Sequence, residues 1–124
     1  MTRGLLLLIL TSVLMSAAAQ IVLKAGMSAP GVVQALGQGN RWAAAGAIGL
    51  NPWVLVGLAI YFASALIWLL VLARAEVSLA YPFVGLGFVV TMVLAWLIHG
   101  DQLSVMRVTG TLMIALGAIM VGRS

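Results

Sequence analysis

An all-α integral membrane fold is what this sequence predicts: a bundle of four transmembrane helices with short connections and one longer loop between the first and second. Three observations lead there. Of the 124 residues 65% are hydrophobic and only 6% are charged, with a mean hydropathy of +1.25, whereas a soluble domain carries about 25% charged residues. The apolar residues gather into four runs, each long enough to cross about 30 Å of hydrocarbon, which takes about 20 helical residues. The basic residues Arg3, Lys24, Arg41, Arg74, Arg107 and Arg123 stand singly, at or near the ends of those runs, as flanking charges do in membrane proteins. The chain reads as a single membrane domain over 1–124, too short to enclose a wide pore by itself, so a partner chain is expected.

The first span runs from about Leu5 to Leu23, entered after Arg3 and left at Lys24. Arg3, the apolar stretch and Ser16-Ala17-Ala18-Ala19 before Gln20 also have the outline of a secretory signal with a small-residue cleavage site. Apolar sequence continues past that point through Ile21-Val22-Leu23, and the segment is read as a span. The second runs from Trp53 to Ala73, introduced by Asn51-Pro52, because asparagine suits a helix N-cap and proline the first helical position. The third covers Leu79 to Ile98 and ends at His99-Gly100-Asp101. The fourth covers Leu103 to Gly122, with Arg107 one turn inside and Arg123 closing it. In the segment 25–50, Gly26, Pro30, Gly31, Gly37, Gly39 and Asn40 recur too often for a spanning helix. Val32, Val33, Leu36 and Trp42 suit a short amphipathic piece on the bilayer surface, and a mobile loop is the other reading.

Charge does not orient the bundle. One side holds Arg3, Arg74 and Arg123, the other Lys24, Arg41 and Arg107, so the positive-inside rule is balanced. Insertion both ways, with antiparallel pairing, is compatible with that balance.

Several functions are excluded or disfavoured. The net charge of +4 does not signal nucleic acid, because the basic residues never cluster. There is no cysteine, hence no disulfide and no thiolate metal site. His99, Glu76 and Asp101 all fall at membrane boundaries as cap and loop residues. With no paired acids, nucleophile–base set, phosphate loop or metal spacing, neither catalysis nor a cofactor is expected.

The first span carries the strongest functional signal. Ser12, Ser16, Gln20 and Lys24 recur every four residues and so share one helix face. Polar groups within hydrocarbon are expensive, face the bundle interior and mark substrate paths. Lys24, one turn nearer the surface than Gln20, suits a phosphate held by a point charge. The plainer alternative is a snorkelling interface anchor, with serines that pack or bond the preceding turn. In the second span Gly57, Tyr61, Ser64 and Trp68 form one stripe, which would line a cavity or pack between helices. Tyr81, in the Ala80-Tyr81-Pro82 opening of the third span, completes the candidate substrate-binding set with Lys24, Gln20, Ser16, Tyr61 and Trp68. Pro82, Gly85 and Gly87 suit a hinge near mid-membrane or close helix packing. Gly110 and Gly117, two turns apart, suit tight contact within the chain or across a dimer.

These patterns resemble the small multidrug resistance proteins of the drug/metabolite transporter superfamily, over nearly the whole chain and best from Leu66 through Val121. Ser78-Leu79-Ala80-Tyr81-Pro82 with Gly85-Leu86-Gly87, the turn His99-Gly100-Asp101-Gln102-Leu103, and Gly110 with Gly117 carry the resemblance. That turn is similar to the family's Gly-Glu-Pro-Leu connection, with Asp101-Gln102 in place of Glu-Pro. The proton-coupled exporters of the family carry a glutamate in the first span, two turns before a lysine. With that lysine matched to Lys24, the glutamate position is Ser16, and no acid stands in any span.

A neighbouring branch resembles the chain more closely: the small subunits that flip undecaprenyl-phosphate-linked aminoarabinose across the bacterial inner membrane. Gln20 and Lys24 match its Gln-x-x-x-Lys, Trp68 to Leu72 match its Trp-Leu-Leu-Val-Leu, and Ala80 to Pro82 match its Ala-Tyr-Pro. The resemblance implies a multi-pass inner-membrane transport subunit, not an enzyme. Its implied cargo is a lipid-linked sugar or another anionic or amphiphilic lipid, moved by a homodimer or a heterodimer with a homologous small subunit. The competing expectations are an exporter of organic cations, which the missing acid disfavours, and a non-transporting subunit of a larger complex.

Overall fold

The structure, a computed structural model, describes residues 2–124. Its elements are all helical, and four segments are long and apolar enough to cross a membrane. Helix α1 (Arg3–Met27) starts where Thr2 Oγ1 accepts a hydrogen bond from the Leu5 N–H. It continues a turn beyond the expected end, so Lys24 lies in its last turn rather than after it.

Two short helices, α2 (Pro30–Gly37) and α3 (Arg41–Gly49), occupy the segment whose form the sequence left open. Most of the residues read there as helix breakers lie at or near the ends of these short helices instead, while Gly26 belongs to the last turn of α1. Pro30 opens α2, where its missing N–H costs nothing. Asn40 caps α3 by accepting from the N–H groups of Trp42 and Ala43 at 3.0 and 3.4 Å. Helices of this length reach only about 12–14 Å and cannot span the bilayer.

The second span is α4 (Pro52–Leu72), with Asn51 as its cap and Pro52 in its first turn, as the sequence predicts. Asn51 Oδ1 accepts from Trp53 and Val54 N–H at 2.9 and 3.2 Å, while its Nδ2 donates to the Gly26 carbonyl at 3.3 Å. One side chain thus starts α4 and ties it to the end of α1.

The third span is interrupted. Helix α5 (Val77–Ala80) passes through a 3-10 turn, Tyr81–Phe83, into α6 (Val84–His99). The irregularity therefore lies at Pro82, in the opening turns of the span. Gly85 and Gly87, expected to suit a bend near mid-membrane, stand in regular helix. α6 stops at Gly100, whose φ of 69° puts it in the left-handed region. The N–H groups of Gly100 and Asp101 both turn back to the Ala95 carbonyl. Helix α7 (Val105–Gly122) begins later than the expected Leu103, where Ser104 Oγ accepts from the Arg107 N–H at 3.0 Å.

Glycines set how closely the spans approach. A Cβ on Gly26 would stand 2.6 Å from Val54 Cγ2, and one on Gly57 would stand 2.7 Å from Leu23 Cγ, so α1 and α4 close on each other through both. Gly87 accommodates Val13 of α1, and Gly85 accommodates Ile114 of α7, each at 2.7 Å by the same measure. Leu5, Ile9, Val13, Val71, Ala80 and Phe83 form the buried core, and Phe83 lies against Gly122. α1 is therefore the hub, with α4 along its length, α6 beside it, and α7 outside α6. Gly110 and Gly117 meet nothing within 4 Å. Of the two expectations for them, contact within the chain is not what the structure has.

Candidate functional site

α4 and α6 both pack on α1 but barely touch each other. The wedge between them is a cavity of about 550 Å³ whose floor is the polar face of α1. Ser12, Ser16 and Gln20 line that floor, Tyr61, Ser64 and Trp68 come from α4, and Tyr81, Gly87, Phe88 and Thr91 from the third span. The four-residue period of the first span explains the floor, since such positions drift only slowly around a helix. Gly87 lines the cavity, and its missing side chain lets α6 settle onto Val13.

Two of the lining's polar groups are structural. Ser12 and Ser64 are buried; Ser12 Oγ donates to the Ser64 carbonyl at 2.8 Å, and Ser64 Oγ donates to the Tyr61 carbonyl at 2.7 Å. The first of these bonds joins α1 to α4 in mid-span, where a polar group without a partner is costly. Trp68 and Tyr81 meet edge to face, with ring centroids 6.3 Å apart at 71°, an aromatic corner at one end of the cleft. No buried side-chain nitrogen or oxygen among the described residues lacks a hydrogen-bond partner. The hydroxyls and amides not bonded within the chain are therefore those that open to the cavity or to the surface.

The structure brings together Ser16, Gln20, Tyr61, Trp68 and Tyr81 of the candidate set. Lys24 is not in the lining. It is exposed, one turn beyond Gln20, about 6 Å further along the helix axis, toward the end of α1 that carries α2. Phe88 and Thr91 were not foreseen. Thr91 is the only hydroxyl side chain in the run 84–98, and that isolation was the signal available to find it. His99, expected as a cap residue, does more: its Nε2 lies 3.0 Å from the Ile21 carbonyl and joins the end of α6 to α1. Among the described residues no group of three or more metal-ligating side chains occurs.

No protein-family model matches the chain, and neither does any solved structure. Curated relatives do. It is 30% identical to a protein of Pseudomonas savastanoi pv. phaseolicola described as the probable 4-amino-4-deoxy-L-arabinose-phosphoundecaprenol flippase subunit ArnE, over 94% of this chain and 96% of that one. It is 34% identical to the corresponding subunit ArnF of Shewanella sediminis, over 96% of this chain and 87% of the relative. With the Pseudomonas fluorescens ArnE the identity is 33%, over 59% of this chain, and the match spans 64% of that relative's length.

Proposed function

Because this chain belongs to the family of the small aminoarabinose-phosphoundecaprenol flippase subunits ArnE and ArnF, we propose that it is one subunit of a flippase for a polyprenyl-phosphate-linked sugar. In this reading the aminoarabinose phosphoundecaprenol of its relatives is the nearest chemical guide to its cargo. The protein works in the bacterial inner membrane, as a transporter rather than an enzyme. Its partner is a second small subunit of the same family or a second copy.

The observation that carries the proposal is the cleft. Polar groups lie along the middle of α1 between two spans that do not close over it, in a protein otherwise built for lipid. A polyprenyl tail can remain in the bilayer while its head crosses along such a seam. The volume of about 550 Å³ lies within the roughly 300–1,000 Å³ of small-molecule sites, enough for a head group and not for the tail. Lys24, at the surface end of the same face, supplies a point charge for the phosphate. A partner completes the wall between α4 and α6. Export of cations has less support, since neither Glu76 nor Asp101 lines the cleft.

The test is transbilayer movement of a labelled polyprenyl-phosphate sugar in vesicles containing the chain, alone and with a homologous small subunit. The expected result is protein-dependent movement that Lys24→Ala and Gln20→Ala reduce. No movement in either arrangement, or movement indifferent to both substitutions, rejects the reading.

A further inference from the structure

We propose that the α2–α3 hairpin is an anchor for anionic phospholipid: it lies in the head-group layer with Trp42 inserted and Arg41 on the lipid phosphates. It thereby fixes the depth of the last turn of α1. This stands apart from the flippase reading, since it concerns bulk lipid and none of the cleft residues.

α2 and α3 pack chiefly on each other, with slight contact to α1 and α4, and Gly39 at φ 71° turns the chain between them. The inner side is small and apolar. Val32 is 1% exposed and Ala35 is buried, while Ala43, Ala44, Ala47 and Ile48 of α3 are half-buried. The outer side is apolar as well. Val33 and Leu36 are exposed on α2, Trp42 is 87% exposed, and Leu50 is 82% exposed. Water is a poor solvent for such a face, and tryptophan is enriched where an apolar ring can enter lipid while its N–H stays among the head groups.

Connectivity and charge name the occupant. The chain enters the hairpin from α1 and leaves it into α4, and both are spans, so the hairpin sits at the bilayer boundary. Its outer side continues into the lipid-facing surface of α4, through exposed Leu50, Trp53, Leu55 and Leu58. Residues 25–50 hold one charge, Arg41, and the first acid of the chain is Glu76. A short apolar helix pair with a cation and no acid suits an anionic interface. Only Ser28 and Ala29 separate α1 from α2, and Asn51 ties the Gly26 carbonyl to the start of α4. An anchored hairpin therefore holds the exposed Lys24 at head-group level.

The experiment labels the full chain with a fluorophore at Ala45→Cys, which shares the outer face of α3 with Trp42. The chain has no other cysteine to compete for the label. The protein is placed in nanodiscs of phosphatidylcholine with brominated phosphatidylglycerol, or with an equal share of brominated phosphatidylcholine. Both quenchers should reach the label, and phosphatidylglycerol should associate about fivefold more strongly, as one basic residue at an anionic surface gives. Arg41→Gln should remove that preference, and Trp42→Ala should reduce quenching by both lipids. Neither substitution should move the unfolding midpoint, since both side chains are exposed. A label that neither lipid quenches overturns the proposal, because the hairpin then stands in water. Equal quenching by the two lipids overturns it as well. Quenching present in discs with one chain and lost in discs with two would give the face to a second copy, and the proposal would fail.

Discussion

Helices α1 and α7 are both apolar spans, yet they are used in opposite ways. α1 buries residues along its whole length, from Leu5 through Gly26, and carries the polar floor of the cleft. α7 buries only Ala115 and Ala118 and leaves Met106, Met113, Leu116 and Met120 exposed. The difference lies in what each packs against. α1 meets α4 at Gly26 and Gly57 and meets α6 at Gly87, whereas Gly110 and Gly117 of α7 face open space. In a membrane there is little hydrophobic drive between helices, so close backbone approach and hydrogen bonds decide association. A span with glycine seams on two sides becomes the hub. α7 has such contacts on one side only, at Gly85–Ile114 and Phe83–Gly122, and its other face is left to lipid or to another subunit.

The sharpest way to break this comparison is to fill the α1–α4 seam. Gly57→Leu would place a branched side chain where Leu23 already stands and should lower fold stability by about 3 kcal/mol, read as the unfolding midpoint in mixed micelles. An unchanged midpoint would mean that the seam is not what holds α1 at the centre.

Next in size is Lys24→Ala, which separates binding from stability on α1. A charged hydrogen bond contributes about 1.5–3 kcal/mol, so affinity for a polyprenyl phosphate should fall by about tenfold or more. The unfolding midpoint should hold, since Lys24 is exposed. Loss of stability with unchanged affinity would make the lysine an anchor only.

Ser12→Ala removes the hydrogen bond to the Ser64 carbonyl. Such bonds between membrane helices average about 0.6 kcal/mol, and the expected result is a small drop in stability with lipid affinity nearly intact. A large loss of affinity would move Ser12 from scaffold to binding group.

The smallest effect on the fold should come from Gly117→Leu, within about 0.5 kcal/mol of the unchanged protein. Crosslinking in bilayers should nonetheless show fewer dimers if α7 is where a partner sits. Strong destabilisation of the single chain would contradict the open face.

Much of this contrast was legible in the sequence, because in a membrane protein composition and run length nearly dictate the spans. The period of Ser12, Ser16, Gln20 and Lys24 gave the face of α1, and Asn51-Pro52 gave the start of α4. Three features were not legible, each for a physical reason. Proline and glycine in 25–50 read equally as a loop and as the ends of two short helices, since both need the same residues at their boundaries. The glycines of α6 and α7 looked alike, and only the placement of Val13, Ile114 and the open face of α7 told packing from exposure. Lys24 shares the four-residue period yet stands exposed in the last turn of α1, outside the lining, a difference that periodicity could not measure.

The most direct test of the central claim, that the cleft on α1 carries a lipid-linked head group with Lys24 at its phosphate, is native mass spectrometry of the protein released with its own lipids. The account predicts a retained polyprenyl phosphate bearing a sugar, lost in Lys24→Ala and weakened in Gln20→Ala. A protein that carries only bulk phospholipid, with the same bound species in both variants, would contradict it.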